Sequence, residues 1–206
     1  MNVVDMKDIL KKRWQRKQQG VKNVSQNHAD IKQRVYLDLQ NANEVTRLTA
    51  LAVALMLETS ERVGNPHSAD NGHFGITTLQ KQHIKVLGSK VVLKYVAKSG
   101  VLQEKTFNNA TIARILSGLL KRRTPSVFEL SNGVKITGQR VNAYLALFQV
   151  RSKDIRTYNA NETLKTELSK KQTPKEAVIK TAAKIGNKPT TLKNHYILPK
   201  IAKKLK

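Results

Sequence analysis

Cysteine is absent from the 206 residues, which removes disulfides, cysteine-bearing zinc sites and thiol nucleophiles together. Acids are scarce: 14 Asp and Glu face 38 Lys and Arg, a formal net charge of +24. Aromatic residues make up only 5% of the chain, so its core must be mostly aliphatic. No apolar run approaches the ~18 residues of a membrane-spanning helix. The N-terminus carries acids at Asp5 and Asp8 and no apolar block after Lys11-Lys12-Arg13, which is not a signal peptide. A soluble, intracellular protein is expected, with no membrane partner. Five scattered histidines and no close carboxylate cluster give no metal site, and no cofactor motif is present.

The basic excess points to a polyanionic partner. Nucleic acid comes first, because each Lys or Arg contact to a phosphate releases condensed counterions. With 39% hydrophobic residues the chain has enough apolar material for a real core. The expected fold class is α+β, mainly α-helical with a small three-stranded antiparallel sheet, in one domain over 1–206: basic N-terminal helices over 1–42 and a core over 43–206.

Residues 3–19 read as a basic helix with Val4, Ile9 and Leu10 on one side, ended by Gly20. Ser25 then caps a second helix through Leu39, with Ile31, Val35 and Leu39 inward. Asn43 caps the clearest helix, whose face holds Val45, Leu48, Leu51, Ala52, Leu55 and Met56. Gly64-Asn65-Pro66 breaks it off. From Ile76 to Phe107 the pattern turns to short β-rich runs, with Thr77 and Thr78 in the first and turns at Gly88-Ser89 and Lys98-Ser99-Gly100. Helices return over Asn109–Arg122, after Thr137, over Lys153–Leu168, after the capping box Thr173-Pro174-Lys175-Glu176, and over Leu198–Leu205.

Near the C-terminus a tyrosine stands among cations, in Gly186-Asn187 through Lys193-Asn194-His195-Tyr196. Its ring could pack beneath the last helix, or its phenol could meet a phosphate as a nucleophile. Phosphodiester transfer needs an in-line nucleophile, an acid for the leaving oxygen and fixed positive charge on the non-bridging oxygens. Arginine suits the last task, being planar and always charged. Lysine suits the acid, since neighbouring cations lower its pKa. Candidates for each exist: Arg62 at the end of the best helix, Lys98 on a hairpin tip, Arg156 in the first turn of a helix, and Asn187 as a neutral donor.

In order and spacing, these stretches resemble the catalytic domain of the type IB DNA topoisomerases, especially the small poxvirus-like and bacterial forms. They are Arg62-Val63-Gly64-Asn65, Asn71 to Leu79 with His83 following, Tyr95 to Gly100, Lys153 to Tyr158, and Gly186-Asn187 through Tyr196. The resemblance covers roughly residues 45–200. It implies that Tyr196 attacks a phosphodiester of double-stranded DNA and forms a 3′-phosphotyrosyl bond. It further implies that Arg62 and Arg156 clamp the phosphate, Lys98 protonates the 5′-oxygen and Asn187 donates to a non-bridging oxygen. Supercoil relaxation would need neither ATP nor a metal or other cofactor, and the protein would act as a monomer in a DNA-associated setting (cytoplasm, nucleoid or viral replication site).

Lys153, Asn65, Thr77, Thr78, His83 and Asn161 join the DNA-binding set. For Lys153 the alternative is a solvated lysine, for the two threonines packing, and for His83 and Asn161 surface polarity or support of the site. Trp14 is a core anchor or an amphipathic surface contact. Two departures stand out: the position of Asn187 is a histidine in many family members, and Arg62 falls so early that no separate β-rich clamp domain is expected before it, implying weak, salt-sensitive, distributive binding. The rival readings are a tyrosine recombinase, which usually shows His-x-x-Arg where this chain has Lys153-Asp154-Ile155-Arg156, and a non-catalytic basic DNA-binding protein.

Overall fold

The computed structural model describes residues 6–205; Val4 and Asp5 lie outside them. Helix α1 (Met6–Asp38) leads into α2 (Glu44–Thr59) and the short α3 (Pro66–Asp70). Strands β1 (Ile84–Leu87), β2 (Lys90–Ala97) and β3 (Val101–Asn108) follow, and then helices α4 (Ala110–Leu120), α5 (Gly138–Ala146), α6 (Ser152–Leu168), α7 (Pro174–Ile185), α8 (Pro189–His195) and α9 (Pro199–Ala202). The helical fold with a three-stranded antiparallel sheet is as the sequence indicates, in the order β1-β2-β3.

Helix α2 is the scaffold. Every residue from Leu48 to Met56 is buried, so the helix is enclosed on all sides, as an uninterrupted apolar stretch requires. Asn43 caps it, its side chain accepting from the Thr46 amide at 3.0 Å. Ser60 ends it in the left-handed conformation (φ 61°). Beside α2 lie α1, α5 and α6, and one face of the sheet. Strand β2 turns Val91, Leu93, Tyr95 and Ala97 inward in strict alternation. A second apolar cluster joins Ala160 and Leu164 of α6 to α7 and to Leu192, Tyr196, Ile197 and Ile201.

Three sequence expectations are corrected. Residues 3–19 and 25–39 do not form two helices; within the described residues α1 runs through Gly20 and Ser25 without a break. Gly20 is there for close approach: a Cβ would lie 2.5 Å from Cγ of Asp154 in α6. Thr77 and Thr78 sit in a single 3-10 turn, Ile76–Thr78, rather than in a strand. The Thr78 hydroxyl closes that turn on the carbonyl and amide of Gly75, 3.0 Å from each. The last helix spans only Pro199–Ala202 before a 3-10 turn to Leu205. Trp14 is half-buried beneath the Lys17 ammonium, 3.7 Å from its ring centroid, and is a surface contact rather than a core anchor.

Gly20→Ala sets two effects against each other. Alanine gains about 1 kcal/mol of helix propensity. Overpacking against Asp154 costs about 1–3 kcal/mol, and that carboxylate cannot swing away, because the amide and guanidinium of Arg151 hold it at 2.9–3.0 Å. The substitution is therefore expected to lower the thermal unfolding midpoint, as calorimetry would read; an unchanged or higher midpoint would count against this packing.

Candidate active site

The site forms where α2, α6, α7 and α8 end or begin. Beyond the left-handed Ser60 the chain runs extended through Arg62, pinned by the amides of Ile76 (to Arg62 O, 2.9 Å) and Thr77 (to Val63 O, 2.7 Å). Two glycines allow this approach: a Cβ on Gly75 would meet the backbone of Gly64 at 2.6 Å. Gly64 itself has φ 103°, a conformation that favours glycine. The Arg62-Val63-Gly64 and Gly75-Ile76-Thr77 stretches are thus one structural unit.

Arg156 lies at the start of the second turn of α6, not the first, and is buried. One of its Nη groups bonds the Ser60 carbonyl. The other donates to Oδ1 of Asn187 at 3.1 Å, and Arg62 donates to the same oxygen at 3.0 Å. Asn187 is delivered by the end of α7, where Gly186 turns left-handed (φ 72°) against the buried Gln103 of β3, whose Nε2 reaches the Gly186 carbonyl at 3.3 Å. With its oxygen committed to two guanidinium groups, Asn187 presents a buried Nδ2 that has no hydrogen-bond partner among the described residues.

Tyr196 follows α8 directly. The residue is 6% exposed, held by Leu192, Ile197 and Ile201, and its ring centroid is 5.5 Å from Cζ of Arg156. Packing and reactivity are therefore not alternatives for this ring. Burial pushes the phenol's pKa up, but the charges of Arg156, Arg62 and Lys153 outweigh burial and the net shift is downward. Arg62, Lys98, Lys153, Arg156, His195 and Tyr196 line one cleft of about 430 Å³. Lys98 stands exposed at its lip on the β2–β3 turn, beside Ser99 at φ 65°.

The remaining DNA-binding candidates separate. Lys153 belongs to the cleft. Asn65 is spent capping α3 (3.4 Å to the Ser68 amide). Thr77 is buried, its hydroxyl donating to Val63 O at 2.8 Å; with Thr78 it borders a separate hollow near Phe74. His83 is buried against Phe74, ring centroids 4.3 Å apart, and accepts from the Gln80 amide through Nδ1. Asn161, 1% exposed, donates to the Tyr196 carbonyl at 2.8 Å and accepts from the Leu198 amide at 2.9 Å. Thr77, His83 and Asn161 thus face the protein interior, since their polar atoms are needed for the loops that present the site.

Glu61 is the residue that sequence reading passed over. It is 1% exposed, with Oε1 3.4 Å from Lys105 Nζ and Oε2 3.8 Å from Arg156. Tyr95 lies beside it, its phenol pKa driven well up by burial and by the Glu61 charge. This carboxylate is the counter-charge to an arginine that burial and Arg62 both disfavour. Its signal was an acid between Ser60 and Arg62, at the exit of a helix whose residues from Leu48 to Met56 are all buried. Among the described residues no group of three or more His, Asp or Glu is placed to hold a metal ion, and no described helix is long and apolar enough to cross a membrane.

The family model for the eukaryotic DNA topoisomerase I catalytic core matches residues 7–197, and the chain belongs to that family. Among curated relatives, DNA topoisomerase 1B of vaccinia virus (strain Copenhagen) is 28% identical over 170 residues, covering 76% of this chain and 54% of the relative. DNA topoisomerase I of monkeypox virus matches to the same extent. The chain thus spans about half the length of the curated relatives it matches. Among solved structures, the XerH site-specific recombinase bound to palindromic difH substrate in a post-cleavage complex superposes with a TM-score of 0.56 at 11% identity. That match covers 84% of this chain and 49% of that one, and it shows a shared fold.

Two measurements test this geometry. Glu61→Gln leaves Arg156 and Lys105 without their buried counter-charge, a change expected to cost on the order of 3 kcal/mol of stability; an equilibrium unfolding curve overlying the wild type's would refute that role. In an ultraviolet titration of phenolate formation, one tyrosine should ionise below the ordinary value of about 10 and vanish in Tyr196→Phe. Superimposable titrations below that value would contradict the electrostatic description.

Proposed function

We propose that this chain is the catalytic region of a type IB DNA topoisomerase, acting as a monomeric single domain on double-stranded DNA and relaxing supercoils by transient cleavage of one strand. The observation that supports it most is the sharing of Asn187 Oδ1 by Arg62 and Arg156 with the Tyr196 ring against Arg156, the two arginines and the tyrosine lining one basic cleft. A phosphodiester seated there meets two guanidinium groups, the free Nδ2 of Asn187 and the Lys153 ammonium.

The ionised Oη of Tyr196, its proton lost to solvent, attacks phosphorus. The bond to the 5′-oxygen breaks as Lys98 gives that oxygen a proton, leaving a 5′-hydroxyl and a 3′-phosphotyrosyl ester. Rotation about the intact strand and the reverse reaction restore the duplex. Charge gathered on the non-bridging oxygens falls on Arg62, Arg156 and Asn187, fixed before substrate arrives, which is where such a site gains most of its rate. ATP has no part in an exchange of one phosphodiester for another of similar energy, and side-chain cations supply the charge a metal would.

Supercoiled plasmid incubated in EDTA without ATP is expected to relax and, when quenched with detergent, to carry covalently bound protein. Tyr196→Phe should do neither while still binding DNA. Relaxation surviving that substitution would refute the mechanism. Binding without relaxation by the wild type would favour a non-catalytic DNA-binding protein, and strand exchange between duplexes at paired sites would favour a recombinase. Arg156→Ala should slow cleavage by about 100- to 1,000-fold. Lys98→Ala should slow it by about 100- to 10,000-fold, with the loss largely recovered when the leaving 5′-oxygen is replaced by sulfur, which departs without protonation; an equal deficit on both substrates would remove Lys98 from the acid's role.

A further inference from the structure

The peptide planes on either side of Tyr196 are both held. The plane after it is fixed by Asn161, through the Tyr196 carbonyl. In the plane before it the Tyr196 amide donates to Leu192 O at 3.0 Å, and the His195 carbonyl accepts 2.6 Å from Nζ of Lys17, far away in sequence on α1. That carbonyl lies at the C-terminal end of α8, where helix carbonyls lack intrahelical donors and carry partial negative charge.

We propose that Lys17 is a positioning residue for Tyr196, and that α1 is thereby part of the mounting of the nucleophile rather than only a basic surface. The inference rests on Tyr196 being the nucleophile. With both peptide planes fixed, φ and ψ of Tyr196 are set, and with them the direction in which its Cα–Cβ bond carries the phenol past Arg156. Lys17 is itself fixed, with its ammonium over the face of Trp14, a cation–π contact that assigns the single tryptophan of the chain a purpose.

The surroundings say that this ammonium is kept against resistance. It lies in a cleft of about 320 Å³ between α1, α6 and α8, faced by Arg13 and Arg16 on its own helix, by Arg151 at the N-cap of α6, by Lys153 and Asp154 within α6, and by His195. Asp154 is committed to Arg151. Burial and then the Lys153 charge bring the Lys17 pKa down to about 8. A lysine held in such a place by a carbonyl and an indole face is aimed, whereas a lysine serving only to attract DNA could stay in solvent at no such cost.

Lys17→Met keeps the aliphatic stem and removes the donor, and Lys17→Arg restores a donor. Hydrogen exchange in the free protein reads the mounting without any reaction. The amides of 192–198 are expected to exchange at least about fivefold faster in Lys17→Met, with those of α2 unchanged, and to return towards wild type in Lys17→Arg. At saturating protein, formation of the covalent adduct should be about tenfold slower in Lys17→Met and within about threefold of wild type in Lys17→Arg. Unchanged exchange would overturn the proposal, as would a rate deficit that disappears once protein is saturating, which marks a simple phosphate contact. Should the wild type form no adduct, the proposed function fails while the exchange comparison still decides the mounting.

Discussion

Arg156 is a cation placed where a cation is costly. Its guanidinium lies in the protein interior beside a second arginine, and burial and that neighbour both work against its charge. The surrounding chain is organised to keep it there: the left-handed turn at Ser60 offers a carbonyl, Glu61 offers a counter-charge and Asn187 offers an oxygen. These partners come from the ends of α2 and α7, so satisfying one guanidinium draws together segments that are distant in sequence. Tyr196 then packs on the far side of the same group. A phosphate entering this cleft meets positive charge already oriented, and a phenol whose ionisation that charge favours.

Such an arrangement needs rigid supports. Helix α2 supplies one, since its apolar residues are enclosed on all sides and its end cannot drift. The Gly64–Gly75 contact supplies another, letting two backbone segments lie close enough for direct bonds on either side of Arg62 and Val63. Gly186 does the same for Asn187, lodged where a side chain would displace Gln103. Lys98 is the exception: it rides a hairpin turn, exposed at the lip of the cleft.

How much of this could be read from the sequence follows from the range of each interaction. Helix starts at Asn43, Asn109, Thr137 and Thr173 were legible because a cap and its amide are three residues apart. The sheet was legible because two turn signals separate three alternating runs. Gly20 misled because a helix-breaking residue and a close-packing residue look alike until Asp154 is placed beside it. Thr77, His83 and Asn161 stood in the DNA-binding set with packing or support of the site as alternatives; their polar atoms serve loops whose shape no local pattern encodes. Glu61 was illegible for the same reason: a charge in a polar-looking stretch reveals its burial only when helices from other parts of the chain close over it. Arg62, Lys98, Arg156 and Tyr196, which line one cleft, and Asn187, bonded to both arginines, stood out in the sequence through the order of their motifs rather than through any single one.

On the proposed mechanism Tyr196, alone among the five tyrosines of the chain, takes the DNA phosphate. Tryptic digestion of the detergent-trapped adduct, followed by mass spectrometry of the nucleotide-bearing peptide, tests it directly. A single modified site is expected, with the nucleotide's 3′-phosphate esterified to Tyr196. A nucleotide on any other residue, or linked through its 5′-phosphate, would contradict it.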